Sequence, residues 1–120
     1  MPASTANISV VIPTLNEAVE LPETLARLRL VPEVKEVIIA DGGSTDATLK
    51  LAAEAGCVVV NSAAGRGRQL RAGAERATGD VILFLHADTW VPPNAGRALL
   101  DCLARPGVVA GGFYKVFREI

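Results

Sequence analysis

The chain has 120 residues, half of them hydrophobic and 21% charged, with a formal net charge of −1. That length suits one modest domain able to bury about two-thirds of the surface its unfolded chain exposes, and the composition excludes disordered and fibrous classes. The near-zero charge excludes a global attraction to nucleic acid, and no run reaches the roughly 20 apolar residues of a membrane span.

The first residues, MPASTAN, lack a basic region followed by an apolar segment and read as a disordered N-terminus over 1–7. Apolar runs and helical stretches then alternate. The run 8–12 (ISVVI) is β-branched and continuous, as a strand buried on both faces would be, and 36–40 (EVIIA), 57–60 (CVVV) and 81–85 (VILFL) repeat the pattern. Between them, Leu21, Leu25 and Leu28 follow helical spacing behind Pro22. Leu49, Ala52 and Ala53 do so behind Asp46, and Leu70, Ala74 and Ala77 behind Gly67. Gly56 and Gly79 fall where a left-handed helix stop belongs. Pro93 opens a fourth helix carrying Leu99, Leu100 and Leu103 that ends near Pro106, and VVAGGFYKVF reads as a last strand. Cys57 and Cys102, without metal-type spacing, read as buried free thiols of a reducing compartment, the cytoplasm. Strict β-α alternation predicts an α/β fold: an open, twisted, mostly parallel sheet with right-handed crossovers and helices on both faces.

In such sheets ligands bind beyond the carboxyl ends of the strands, and the loops there are polar: PTLNEA, DGGSTDAT, NSAAGRGRQ and HADTW. Asp41 leaves the second strand beside glycines that allow close approach, a carboxylate suited to a base N–H or a ribose hydroxyl. Ser44, Thr45 and Asp46 read as helix caps. Neither a P-loop nor a dinucleotide fingerprint is present, since no Gly-Lys-Ser/Thr follows and the glycine spacing after Gly65 and Gly67 is wrong. Arg66 and Arg68, flanked by glycines at a helix start, make an anion site that a diphosphate would fill, whereas Arg76 reads as a solvated face. If the fourth strand stays extended through Ala87, His86 and Asp88 share one face at the ligand edge. Asp88 then suits a hard divalent ion that also binds phosphate oxygens, and His86 is the weaker candidate.

Taken together, ISVVIPTLNEA, EVIIADGGSTDAT, GRGRQLRAGAERATGDVILFLHADT and VVAGGF resemble the nucleotide-sugar-binding half of family-2 glycosyltransferases with the GT-A, Rossmann-like fold. The match is strongest to a bacterial subgroup that reads His-Ala-Asp where most members read Asp-x-Asp. The resemblance covers Ile8 to Phe113. It implies inverting transfer of a sugar from a nucleoside diphosphate donor, UDP-linked above all, with Mg²⁺ or Mn²⁺. It also implies that Pro13, Thr14 and Glu17 line the nucleoside pocket, that Asp41 contacts the base, and that Asp88 is the metal-binding carboxylate. Position 42 is glycine where many relatives carry a second aspartate, His86 replaces the first carboxylate of Asp-x-Asp, and Arg71 stands in place of an asparagine.

Inverting transfer needs a base to deprotonate the acceptor hydroxyl. Neither Asp101 nor Glu119 is placed to serve, so the catalytic base is expected beyond Ile120. The expectation is therefore a truncated donor-binding domain over 8–120 with the acceptor half absent, which binds a donor without transferring sugar. An uncovered sheet edge further predicts a homodimer. A nucleotidyltransferase would carry a Gly-rich, Lys/Arg-bearing loop after the first strand, where this chain has PTLNEA. A flavodoxin-like signalling module would need an acidic cluster there and a phosphorylatable aspartate after the third strand, where Asn61 and Ser62 stand.

Overall fold

The computed structural model describes residues 6–104. Four strands and four helices alternate along it: β1 (Ile8–Thr14), α1 (Leu21–Leu28), β2 (Val34–Asp41), α2 (Thr48–Glu54), β3 (Val58–Asn61), α3 (Arg66–Arg76), β4 (Val81–Phe84) and α4 (Ala95–Leu103). The strands form one parallel sheet in the order β3-β2-β1-β4, with Val10 beside Val37 on one side and Leu83 on the other. The expected last strand and Ile120, beyond which the catalytic base was placed, lie outside the described residues.

The two faces of β1 explain its unbroken apolar run. Ile8, Val10 and Ile12 point into a large core with Leu21, Leu25 and Leu28 of α1, Ala52 of α2, Leu83 and Leu85, and Leu99 and Leu100 of α4. Val11 points the other way, joining Ile38 and Ala40 under Leu70 and Ala77 at α3. A strand covered on both sides has no polar face to alternate with. The crossovers that build β1 to β3 put α1 and α2 on one face, and the return from β3 across to β4 puts α3 on the other. The chain thus reverses direction between β1 and β4, and in such sheets a crevice opens at that point beyond the carboxyl ends of the strands.

Several local expectations need correction. Of the segment expected to be disordered, Ala6 packs against the core and Asn7 is fastened: its N–H donates to the Asp80 carboxylate at 2.9 Å and its carbonyl accepts from Asp80 and Val81. Gly56 is the left-handed helix stop expected, at φ 80°, but Gly79 is not. A Cβ on Gly79 would lie 2.7 Å from Ser9 Oγ and 2.8 Å from Ser9 N, so glycine is needed there for close approach to β1. Cys57 and Cys102 are free but only partly buried, and burial pushes the Cys57 thiol upward. Finally, β4 ends at Phe84; it does not stay extended through Ala87. Residues 87 and 88 form a turn closed by the Thr89 N–H on the His86 carbonyl at 3.1 Å.

Candidate functional site

The crevice between β1 and β4 is a cleft of about 380 Å³ lined by Pro13, Thr14, Leu15, Glu17, Gly65, Arg66, Gln69, His86, Ala87 and Asp88. Three of the four polar loops meet in it. The turn after β4, rather than an extended strand, brings both His86 and Asp88 to the wall. That turn is anchored from below: the buried Thr24 hydroxyl on α1 donates to the Ala87 carbonyl at 2.5 Å. Just after the turn, the Arg27 guanidinium of α1 lies over the Trp90 ring, 4.3 Å from its centroid.

The first two loops are sewn together by short polar side chains. Asn16 adopts φ 55°, a left-handed conformation that asparagine tolerates, and its Oδ1 accepts the N–H groups of Thr45 at 2.8 Å and Asp46 at 3.2 Å. Ser44 Oγ accepts the Asn16 N–H, and Thr48 Oγ1 accepts the Glu17 N–H at 2.8 Å. Asp46 accepts the Thr48 N–H at 2.9 Å and the Thr48 hydroxyl, a turn just before α2; the N-cap of that helix is Ala47 with no side-chain cap bond, so none of Ser44, Thr45 and Asp46 is the helix cap expected.

Asp41 departs from expectation. It is 1% exposed and does not line the cleft. Its Oδ1 accepts the hydroxyls of Thr14 at 2.7 Å and Ser44 at 2.6 Å, and its Oδ2 accepts the N–H groups of Gly43 and Ser44. Burial works against its charge, yet the Ser44 and Thr14 hydroxyls and the loop amides outweigh it and hold its carboxyl below the usual range. Four donors already in place hold this carboxylate within the loop, outside the cleft lining. Thr14, which does line the cleft, spends its hydroxyl on Asp41.

On the opposite wall, α3 begins at Arg66 behind Gly65, whose φ of 134° only glycine adopts easily. The N–H groups of that first turn, which have no carbonyl one turn back to bond, and the Arg66 side chain stand together at this wall. Arg68 is exposed and is not among the lining residues, so the sequence pair Arg66 and Arg68 divides. Gln69, which the sequence reading passed over, is 5% exposed and bonded to all three neighbouring segments. Its only sequence signal is an uncharged amide one turn into an arginine-rich helix.

The cleft is electrically divided. Glu17 and Asp88 sit on one side; burial first, then the charges of Asp88, Glu20 and Asp46, push the Glu17 carboxyl above its ordinary value. A carboxylate whose charge is disfavoured by burial and by neighbouring carboxylates suits a hard cation. Among the described residues no three His, Cys, Asp or Glu side chains are grouped closely enough to cage a metal by themselves. This donor set fits an ion such as Mg²⁺ or Mn²⁺ that takes one or two carboxylates and draws its remaining oxygens from phosphate and water.

Comparison with known proteins agrees with this geometry. The profile of glycosyl transferase family 2 matches residues 9–120. The undecaprenyl-phosphate 4-deoxy-4-formamido-L-arabinose transferase of Pectobacterium carotovorum subsp. carotovorum (strain PC1) is 35% identical over 117 residues, which cover 88% of this chain and 36% of that protein. The chain thus spans a little over a third of the length of the curated relative it matches. Among solved structures, glucosyl-3-phosphoglycerate synthase from Mycobacterium tuberculosis, in complex with Mn²⁺, UDP and glucosyl-3-phosphoglycerate, superposes with a TM-score of 0.70 at 28% identity, over 83% of this chain and 40% of that one. A mannosyltransferase from Pyrobaculum calidifontis, in complex with GDP-Man and Mn²⁺, superposes with a TM-score of 0.77 at 25% identity, over 86% of this chain and 34% of that one. The parallel sheet, the cleft at its reversal point and the profile match together establish that the chain belongs to glycosyl transferase family 2 and has its GT-A-like α/β fold.

Proposed function

We propose that this chain is the donor-binding part of an inverting glycosyltransferase, taking a nucleoside diphosphate sugar, UDP-linked in the first instance. The observation that carries the reading is the divided cleft: Asp88 and Glu17 on one wall, the amide end of α3 with Arg66 on the other, and a volume of about 380 Å³ between them. Pro13, Thr14 and Glu17 border the nucleoside, the α3 end and Arg66 take phosphate oxygens, His86 lies at the cleft edge beside them, and Asp88 with Glu17 nearby would hold Mg²⁺ or Mn²⁺. When bound, such an ion neutralises charge on the departing diphosphate.

In transfer, an acceptor oxygen attacks the anomeric carbon while the bond from that carbon to the diphosphate oxygen breaks, and the electron pair leaves on the diphosphate. The acceptor proton passes to a base. The residues of this cleft serve the leaving group: Arg66 and the helix amides are fixed before reaction, so they meet the growing charge without reorganising. The base is assigned to none of the described residues. Transfer by the whole protein, its acceptor and a cytoplasmic location belong to the same proposal. So does self-association, since β4 ends the sheet among the described residues with Ile82 37% and Phe84 48% exposed.

Titration calorimetry of UDP with and without Mn²⁺ tests the reading. The wild-type chain should bind UDP more tightly when Mn²⁺ is present, and Asp88→Asn should lose that metal-dependent gain while keeping the metal-free affinity. An Asn variant that keeps the full gain would remove Asp88 from the metal site.

A further inference from the structure

Gln69 carries more than a helix face requires. Its Nε2 donates to the Thr14 carbonyl at 2.8 Å and to the Ala40 carbonyl at 2.9 Å, and its Oε1 accepts the Gly65 N–H at 3.1 Å. Both amide hydrogens are used, and they fix the orientation. Rotating the amide by half a turn would set Oε1 against two carbonyl oxygens and the NH₂ group against an N–H. A glutamate would set a charged oxygen against the same two carbonyls while its other oxygen still accepted the Gly65 N–H. The three partners are the end of β1, the end of β2 and the residue before α3, and Thr14, Gly65 and Gln69 all line the cleft.

Gly42 belongs to the same unit. It is not among the glycines with positive φ, so its missing side chain supplies room and not backbone freedom. A Cβ there would lie 2.9 Å from both Cδ and Oε1 of Gln69 and 3.1 Å from Nε2. A flexible side-chain end could move aside from such a clash, but an amide held by three hydrogen bonds cannot do so without giving them up. Gly42 also donates its own N–H to the Thr14 carbonyl at 2.9 Å, so that oxygen receives two donors, one from each member of the pair.

We infer that Gln69, with the space kept open by Gly42, is a positioning residue that sets where Gly65, Arg66 and the amide end of α3 stand against the first loop, and so fixes the diphosphate subsite. The inference rests on the donor reading above. Without the Oε1 bond, the Gly65 N–H loses its side-chain partner and the residue is held to Gln69 only through its carbonyl, which accepts the Gln69 backbone N–H at 2.9 Å, and Arg66 is the next residue. A group displaced by about half an ångström no longer meets a bound anion well.

The test compares uridine and UDP with Mn²⁺ by titration calorimetry on the wild-type chain, Gln69→Glu, Gly42→Ala, Gln69→Ala and the Gly42→Ala/Gln69→Ala double variant, with a melting curve for each. The wild type should prefer UDP over uridine. Gln69→Glu and Gly42→Ala should each cut that preference about tenfold, equivalent to about 1.4 kcal/mol, with uridine affinity within about twofold of wild type. In the Gln69→Ala background, Gly42→Ala should cost nothing further. If Gln69→Glu fails to fold, Gly42→Ala carries the test, because it displaces the Gln69 amide without changing its chemistry. Variants that melt lower yet keep the wild-type preference would reduce Gln69 to a purely structural role and overturn the inference alone, as would additive losses in the double variant. A wild-type chain that binds UDP no better than uridine would overturn the donor reading, and the inference with it.

Discussion

Replacing Gly73 by alanine should destabilise the fold even though alanine is the better helix former. The residue is buried in the middle of α3, where the exchange would by itself favour the helix by about 1 kcal/mol. The new Cβ would lie 2.3 Å from Val11 Cγ1 and 3.3 Å from Cγ2, whereas carbon atoms pack comfortably at about 3.5–4.0 Å. Val11 is fully buried on the central strand and wedged between Ile38 and Ala40, so it has nowhere to go. The helix must therefore lift by about an ångström. Overpacking of this kind costs about 1–3 kcal/mol, and an overlap this deep belongs at the upper end, leaving a net loss of about 2 kcal/mol and a melting point lower by roughly 10 °C. Because α3 also carries Arg66 and Gln69, UDP affinity should fall with it. Chemical denaturation with a double-mutant cycle checks the cause. Val11→Ala alone should cost about 2 kcal/mol through lost methyl burial, but in the Gly73→Ala chain it should restore room, so that the double variant loses at least about 1 kcal/mol less than the sum. A Gly73→Ala chain as stable as wild type, or simple additivity, would refute the reasoning.

Two further outcomes follow from side chains away from the cleft wall. Thr24→Val should cost about 1–3 kcal/mol by leaving the Ala87 carbonyl unpaired, and should weaken Mn²⁺-dependent UDP binding more than uridine binding, since that carbonyl anchors the turn bearing Asp88. Glu36 Oε2 accepts the Ser9 hydroxyl at 2.6 Å, the Thr78 N–H at 2.7 Å and the Thr78 hydroxyl at 2.9 Å, tying β2 to β1 and to the residues after α3; the Ser9 bond is the main reason its carboxyl lies below 4.5. The stability it supplies is therefore present above pH 4.5 and lost as pH falls through the lowered folded value, so denaturation midpoints should drop on acidification and Glu36→Gln should flatten that drop while costing stability at neutral pH.

The alternation of apolar runs and helical stripes was legible because each element repeats a simple period. A strand covered on both faces must be apolar at every position, and helices that cover it must be apolar every third or fourth. Those two facts led from ISVVI, EVIIA and the leucine stripes to a parallel α/β sheet without any contact being known. Loop composition likewise pointed to one edge of the sheet, and Pro13, Thr14, Glu17, Arg66, His86 and Asp88 all line a cleft there. A periodic pattern cannot say which way a side chain turns once the strand has ended. Whether His86 and Asp88 reach the cleft by extension or by a turn was decided by the Thr24 anchor, 63 positions away in sequence. Asp41 was turned inward, and Arg68 outward, by the course of the backbone through Gly43 and Gly65. Gln69 and Gly42 were invisible as a pair because nothing in either residue type announces the other. Local propensity is written into the order of the residues, but hydrogen-bond partners are set by which loops the folded sheet brings within about 3 Å, and that distance exists only after the chain has folded.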